Sequence, residues 1–128
     1  MGNIHSKALV EIILNNMKEC VESGNYSILN RDANRYFATE YPMSEAMQQE
    51  ILLGLEVDDY CESEPSDKIA GSYINLFGRS LELVNAHGSK VLVNMYIKFE
   101  VIEKPHNTRT IFISFHEEEF PLSFPFRA

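Results

Sequence analysis

Val93-Asn94-Met95-Tyr96-Ile97-Lys98-Phe99-Glu100-Val101 and Thr110-Ile111-Phe112-Ile113-Ser114-Phe115-His116 are the stretches that decide the fold. In the first, every odd position is apolar and the even positions carry polar groups. That is the period of a half-buried β-strand, whose successive side chains point to opposite faces. The second repeats the pattern, with Ile111, Ile113 and Phe115 on its apolar side. Glu103 to Arg109 between them, with Pro105, His106 and Asn107, has the composition of a hairpin loop. A register centred on His106 sets Lys98 opposite Ser114 and Tyr96 opposite His116, neighbours about 4.5–5.5 Å apart at Cβ. These four residues then share one polar face, backed by an apolar one.

Working outward, residues 6–23 have helical periodicity. Val10, Ile13, Leu14, Met17, Cys20 and Val21 fall on one stripe, with Ser6 placed as N-cap and Gly24 as the closing residue. Tyr26 to Leu29 reads as a short strand, and Arg31 to Tyr41 as irregular or a short helix. A second helix is expected over 44–55, capped by Ser44, with Met47, Ile51, Leu52 and Leu55 facing inward. Asp58 to Lys68 has no apolar periodicity and reads as a loop. Ser72 to Phe77 and Ser80 to Val84 read as two strands before the hairpin, so the strand-rich part spans 72–116. The tail, 117–128, holds Pro121 and Pro125 and cannot be a central strand. The expectation is one α+β domain over 1–128, two N-terminal helices packed on a small antiparallel β-sheet.

The chain of 128 residues carries a net charge of −8. Residues 1–67 hold thirteen acids against Lys7, Lys18, Arg31 and Arg35, whereas residues 68–128 hold six acids against seven bases. The acidity therefore belongs to the N-terminal half, and the strand-rich half is near neutral. Cys20 and Cys61 make no disulfide framework and no zinc spacing. His5, His87 and His106 show no ligand spacing, so no metal and no cofactor are expected. No apolar run is long enough to span a membrane. The expectation is a cytoplasmic protein with no membrane association.

The polar face of the hairpin has the makings of an acid/base surface. His116 is the candidate acid or base, because imidazole titrates near neutrality. Lys98 is suited to stabilising a phosphorane-like charge, and Tyr96 to donating a proton or positioning a phosphate. Arg79 and Arg109 are candidates for holding flanking phosphates, with Ser114 and Lys68 as further substrate contacts. The bland roles stay open beside these: His116 bonding to the tail, and Lys98 pairing with Glu100, Glu117 or Glu118. A different class of function is equally concrete. In it the acidic stretch from Asp58 to Asp67 is the contact surface of a non-enzymatic module that binds a protein partner.

Asp59-Tyr60, Leu76-Phe77-Gly78, Tyr96-Ile97-Lys98, Ile113-Ser114-Phe115-His116 and Pro121 to Phe126 follow one another in the chain. This ordered set resembles the MqsR-type toxins, in particular longer bacterial relatives that end in an SFH…P…PF pattern. The resemblance implies a fold similar to the RelE-like ribonucleases. It also implies a metal-independent mRNA endoribonuclease or an inactive relative, with single-stranded RNA as substrate and an antitoxin protein as partner. Tyr96 falls on the family's strand tyrosine, and His116 where the best-studied members carry a lysine after Ser-Phe. Asp59-Tyr60-Cys61-Glu62 departs from the family's Asp-Phe-Tyr-Lys, so the basic residue of that motif is missing.

Overall fold

The apolar stripe of the first helix is what the fold is built on. In the computed structural model, which describes residues 2–128, α1 runs Lys7–Ser23. Ser6 caps it by accepting from the Leu9 amide, and Gly24, at φ 78°, takes the left-handed turn that ends it. Val10, Leu14, Met17, Cys20 and Val21 are all buried. They pack against the inward face of a five-stranded sheet, where each fully buried aliphatic or aromatic side chain contributes roughly 1.5–3 kcal/mol.

After α1 come β1 (Tyr26–Ile28), α2 (Asp32–Glu40), α3 (Glu45–Leu53), a 3-10 turn (Val57–Asp59) and β2 (Tyr60–Pro65). Then follow β3 (Tyr73–Val84), β4 (Lys90–Ile102) and β5 (Arg109–Glu117). The strand order is β1-β5-β4-β3-β2. Strands β2 to β5 pair antiparallel, and β1 joins the far edge parallel to β5. The fold is α+β, with two differences from the sequence reading. Among the described residues there are three helices rather than two, because Asp32–Glu40 takes the helical one of the two alternatives open for Arg31 to Tyr41. The sheet is mixed rather than antiparallel, because β1 enters it alongside β5.

Three finer expectations are corrected. Asp58 to Lys68 is not one loop, since residues 60–65 form β2, whose Tyr60, Cys61 and Ser63 are buried. Ser72–Phe77 and Ser80–Val84 are parts of one continuous strand, β3, that passes through Gly78. In α3, Ile51 and Leu52 are buried as expected, but Met47 remains 38% exposed.

The hairpin register follows the expectation as far as the middle of the sheet: Tyr96 pairs with His116 and Lys98 with Ser114. Beyond Lys98 the register shifts by one, so that Phe99 faces Phe112 and Glu100 faces Ile111. The extra residue in β5 is a β-bulge, and it exchanges the faces of everything before it. Phe112 and Phe115 are therefore the core residues of β5, while Ile111 and Ile113 are only half-buried, contrary to the simple alternation.

Asn34 of α2 explains how the bulge is tolerated. Its amide donates to the Leu29 and Ile113 carbonyls (2.9 and 3.0 Å), and its oxygen accepts from the Phe115 amide (2.9 Å). Pairing with β1 ends at Phe112, so a buried side chain continues the ladder where a strand has run out.

Candidate functional site

The helices pack on one face of the sheet, and the other face carries no helix but is partly covered by the tail, whose Leu122 and Phe124 lie over Gly78. In β4, Val93, Met95, Ile97 and Phe99 point to the helices and are 0–1% exposed. Tyr96, Lys98 and Glu100 therefore point away from them, together with their partners His116, Ser114 and Ile111 on β5. This is the open face. Across β3 the same rows continue through Gly78, Leu76 and Ile74, and into β2 at Glu62 and Glu64.

Tyr96 and His116 are stacked, with centroids 5.2 Å apart and planes 14° from parallel. The His116 Nδ1 lies 2.7 Å from the carbonyl oxygen of Glu117. A carbonyl oxygen only accepts, so Nδ1 carries a proton in this contact, and Nε2 is the ring's other nitrogen. The ring's hydrogen bond is to its own neighbour, Glu117, where β5 passes into the tail. Phe120 closes one flank of Tyr96 edge-on, with centroids 6.1 Å apart.

Lys98 occupies the next row. Its ammonium lies 3.6 Å from a carboxylate oxygen of Glu64, on β2, and none of the three glutamates suggested by the sequence is its partner. With side chains 26% and 55% exposed, this pair is a weak one, worth at most about 1 kcal/mol. Tyr96 and Lys98 also line a cleft of about 190 Å³ with Gly2, Glu62, Ser63, Glu64, Ile74 and Leu76. The cleft thus carries one cation and two carboxylates, with an aromatic ring at one end.

The N-terminal segment forms the outer wall. Asn3 and Ser63 exchange backbone hydrogen bonds of 2.6 and 2.7 Å, so residues 2–5 cover the edge of β2. A buried polar chain anchors this segment. The His5 amide donates to the Tyr60 hydroxyl (3.1 Å), which lies 2.8 Å from the Ser63 hydroxyl, itself donating to Asn75 (2.7 Å).

The remaining candidates lie elsewhere. Arg79 is two residues from Phe77 and shares its helix-facing side, where it donates to the Ile51 carbonyl (3.2 Å). It is absent from the open face. Arg109, opposite Ile102 at the start of β5, is half-buried and does not line the cleft. Lys68 is exposed in the turn after β2, again outside the cleft. Ser114 is on the face but only 5% exposed. The structure brings Tyr96, Lys98, Ser114 and His116 together and leaves the other cations apart from them.

Glu62 and Glu64, expected in a loop as part of the acidic contact surface, lie instead on a strand, β2, which puts them beside Lys98. Glu100, one of the partners expected for Lys98, makes no ion pair with it. It is 7% exposed, and its Oε2 has no hydrogen-bond partner.

Among the described residues, no group of His, Cys, Asp and Glu is arranged to hold a metal ion. No helix is long and apolar enough to cross a membrane. Compared with known proteins, the chain matches no family model, no curated protein and no solved structure.

Proposed function

We propose that the domain is a toxin-like protein of the MqsR type that cleaves single-stranded RNA on its open face without a metal, under control of an antitoxin partner. The observation that carries this reading is the stacked Tyr96–His116 pair beside Lys98. An imidazole, a phenol and an ammonium in adjacent rows offer proton transfer and charge stabilisation to one phosphodiester. The ordered motifs of the chain lead to the same residues. Because the Lys98–Glu64 pair is half-exposed, a phosphate group can displace the carboxylate at small cost. The test is incubation with mRNA, comparing the wild type with His116→Ala and Lys98→Ala. The reading expects cleavage that both substitutions abolish or strongly reduce. It is overturned by absence of cleavage, or by cleavage that neither substitution changes.

A second reading is favoured by the two glutamates of the cleft. Glu62 and Glu64 outnumber Lys98 there, and a basic protein segment fits such a surface. Under it the domain is a non-enzymatic module, and its partner releases at high salt, since exposed charges are screened over about 8–10 Å at 0.1–0.15 M. Charge reversal at Glu62 and Glu64 then abolishes capture of the partner, whereas capture that survives the reversal excludes this reading.

A further inference from the structure

Glu100 is the one carboxylate of the open face that is buried yet has no partner. Alternation along β4 places it beyond Lys98, between Ile74 of β3 and Ile111 of β5. It is 7% exposed, Oε2 has no hydrogen bond, and among the described residues it takes part in no ion pair. A buried carboxyl oxygen without a hydrogen-bond partner is an exception in folded proteins, and a catalytic role is one of the reasons for keeping it. Lys98, two residues away on the same face, turns instead to Glu64.

We propose that Glu100 is the general base of this face, acting on a ribose 2′-hydroxyl while His116 serves as the acid. This rests on the ribonuclease reading above. The register supplies the geometry. The Lys98–Ser114 row is the middle row, with Glu100 one row to one side and the Tyr96–His116 row one row to the other. At about 3.3 Å per residue, the two outer rows lie roughly 13 Å apart along the strand. On the same face of the sheet, Glu100 and His116 thus flank Lys98 from opposite sides. In-line displacement requires such a flanking arrangement, with base and acid on opposite sides of phosphorus and Lys98 beside it.

In the step itself, the 2′-hydroxyl gives its proton to the Glu100 carboxylate and its oxygen bonds to phosphorus. The bond from phosphorus to the 5′-oxygen breaks, and the His116 imidazolium delivers its proton to that oxygen. The products are a 2′,3′-cyclic phosphate and a free 5′-hydroxyl. Exchange of protons with water restores both side chains, and no further reactant enters the balance.

The test uses the full chain as wild type, Glu100→Gln and His116→Ala. The substrates are an oligoribonucleotide that the wild type cuts and the same molecule with sulfur in place of the bridging 5′-oxygen at the cut. A thiolate leaves without protonation, so His116→Ala regains near wild-type cleavage on the sulfur substrate. Glu100→Gln loses about 10²–10⁴-fold on both substrates, the usual contribution of a general base. Glu100→Gln within a few-fold of the wild type on both, or rescued by sulfur while His116→Ala is not, overturns the assignment and leaves the ribonuclease reading standing. A wild-type protein that cuts no RNA overturns both. Should Glu100→Gln fail to fold by thermal melting, Glu100→Asp takes its place. Slower cleavage without sulfur rescue then supports the role, and wild-type rates exclude it.

Discussion

Asn34 illustrates how much one polar side chain can decide at the level of the residue. It satisfies two backbone groups of β5, at Ile113 and Phe115, as well as the Leu29 carbonyl, from a position only 7% exposed. Replacing it with alanine leaves buried backbone groups unpaired, at about 1–3 kcal/mol each for those that water cannot reach. Asn34→Ala is therefore expected to lower stability by about 2–4 kcal/mol. Urea denaturation will read this as a lower midpoint at unchanged slope. Cys61 makes a different prediction. Burial pushes its thiol up to about 12, an effect reinforced by Glu62, Asp59 and Glu118 and partly offset by Arg127. The folded state thus holds its proton where the unfolded chain, at an ordinary 9.0, has begun to lose it. Stability is unaffected below about pH 9 and falls as the pH rises towards about 12. At pH 8 the native thiol resists alkylation, because the thiolate is the nucleophile. Labelling of Cys61 that proceeds as fast in buffer as in denaturant would contradict this.

At the level of the element, the hairpin was legible because β4 buries one face and exposes the other, which is what alternation encodes. Strand β2 was not legible. Its inward residues are Tyr60 and Ser63, held by a chain of hydroxyls rather than by apolar packing, and its outward ones are glutamates. A strand that buries polar groups carries no hydrophobic period. The bulge in β5 was hidden for a related reason: its partner Asn34 lies 79 residues from Ile113, in a stretch of mixed polarity. Gly78 does not break the strand but is a place where the tail comes close to it. A Cβ there would lie 2.6 Å from Leu122 and 3.2 Å from Phe124, both side-chain atoms, and 3.1 Å from the Met95 carbonyl. Glycine in a strand interior commonly marks such an approach. Gly78→Val is therefore expected to push Leu122 and Phe124 off the sheet and to loosen Phe120 from Tyr96. Limited proteolysis will find faster cutting within residues 119–126 while the rest of the chain resists. Unchanged protection of the tail would show that its seat does not depend on that glycine.

For the whole molecule, folding lays the acidic half of the chain against the neutral half. Strand β2, from the acidic half, forms one wall of the cleft, and β3 and β4 form its floor, so Glu64 comes to rest beside Lys98 and Asp59 beside Arg127. The net charge of −8 is therefore felt at the open face through Glu62 and Glu64, not only at a remote loop. Neutralising both, as Glu62→Gln with Glu64→Gln, moves the net charge from −8 to −6 and frees Lys98. A unit charge at about 4 Å contributes roughly 1 kcal/mol in water, or about five-fold in affinity. The double variant is expected to bind single-stranded RNA up to about 25-fold more tightly than the wild type at low salt. The gain should shrink as ionic strength rises towards 1 M, where screening acts over about 3 Å. Fluorescence anisotropy of a labelled oligoribonucleotide at two salt concentrations measures both effects. The same variant weakens a basic protein partner, so the two readings of the face predict opposite signs from one pair of substitutions. RNA affinity that is unchanged at low salt would place the RNA path, if there is one, away from Lys98.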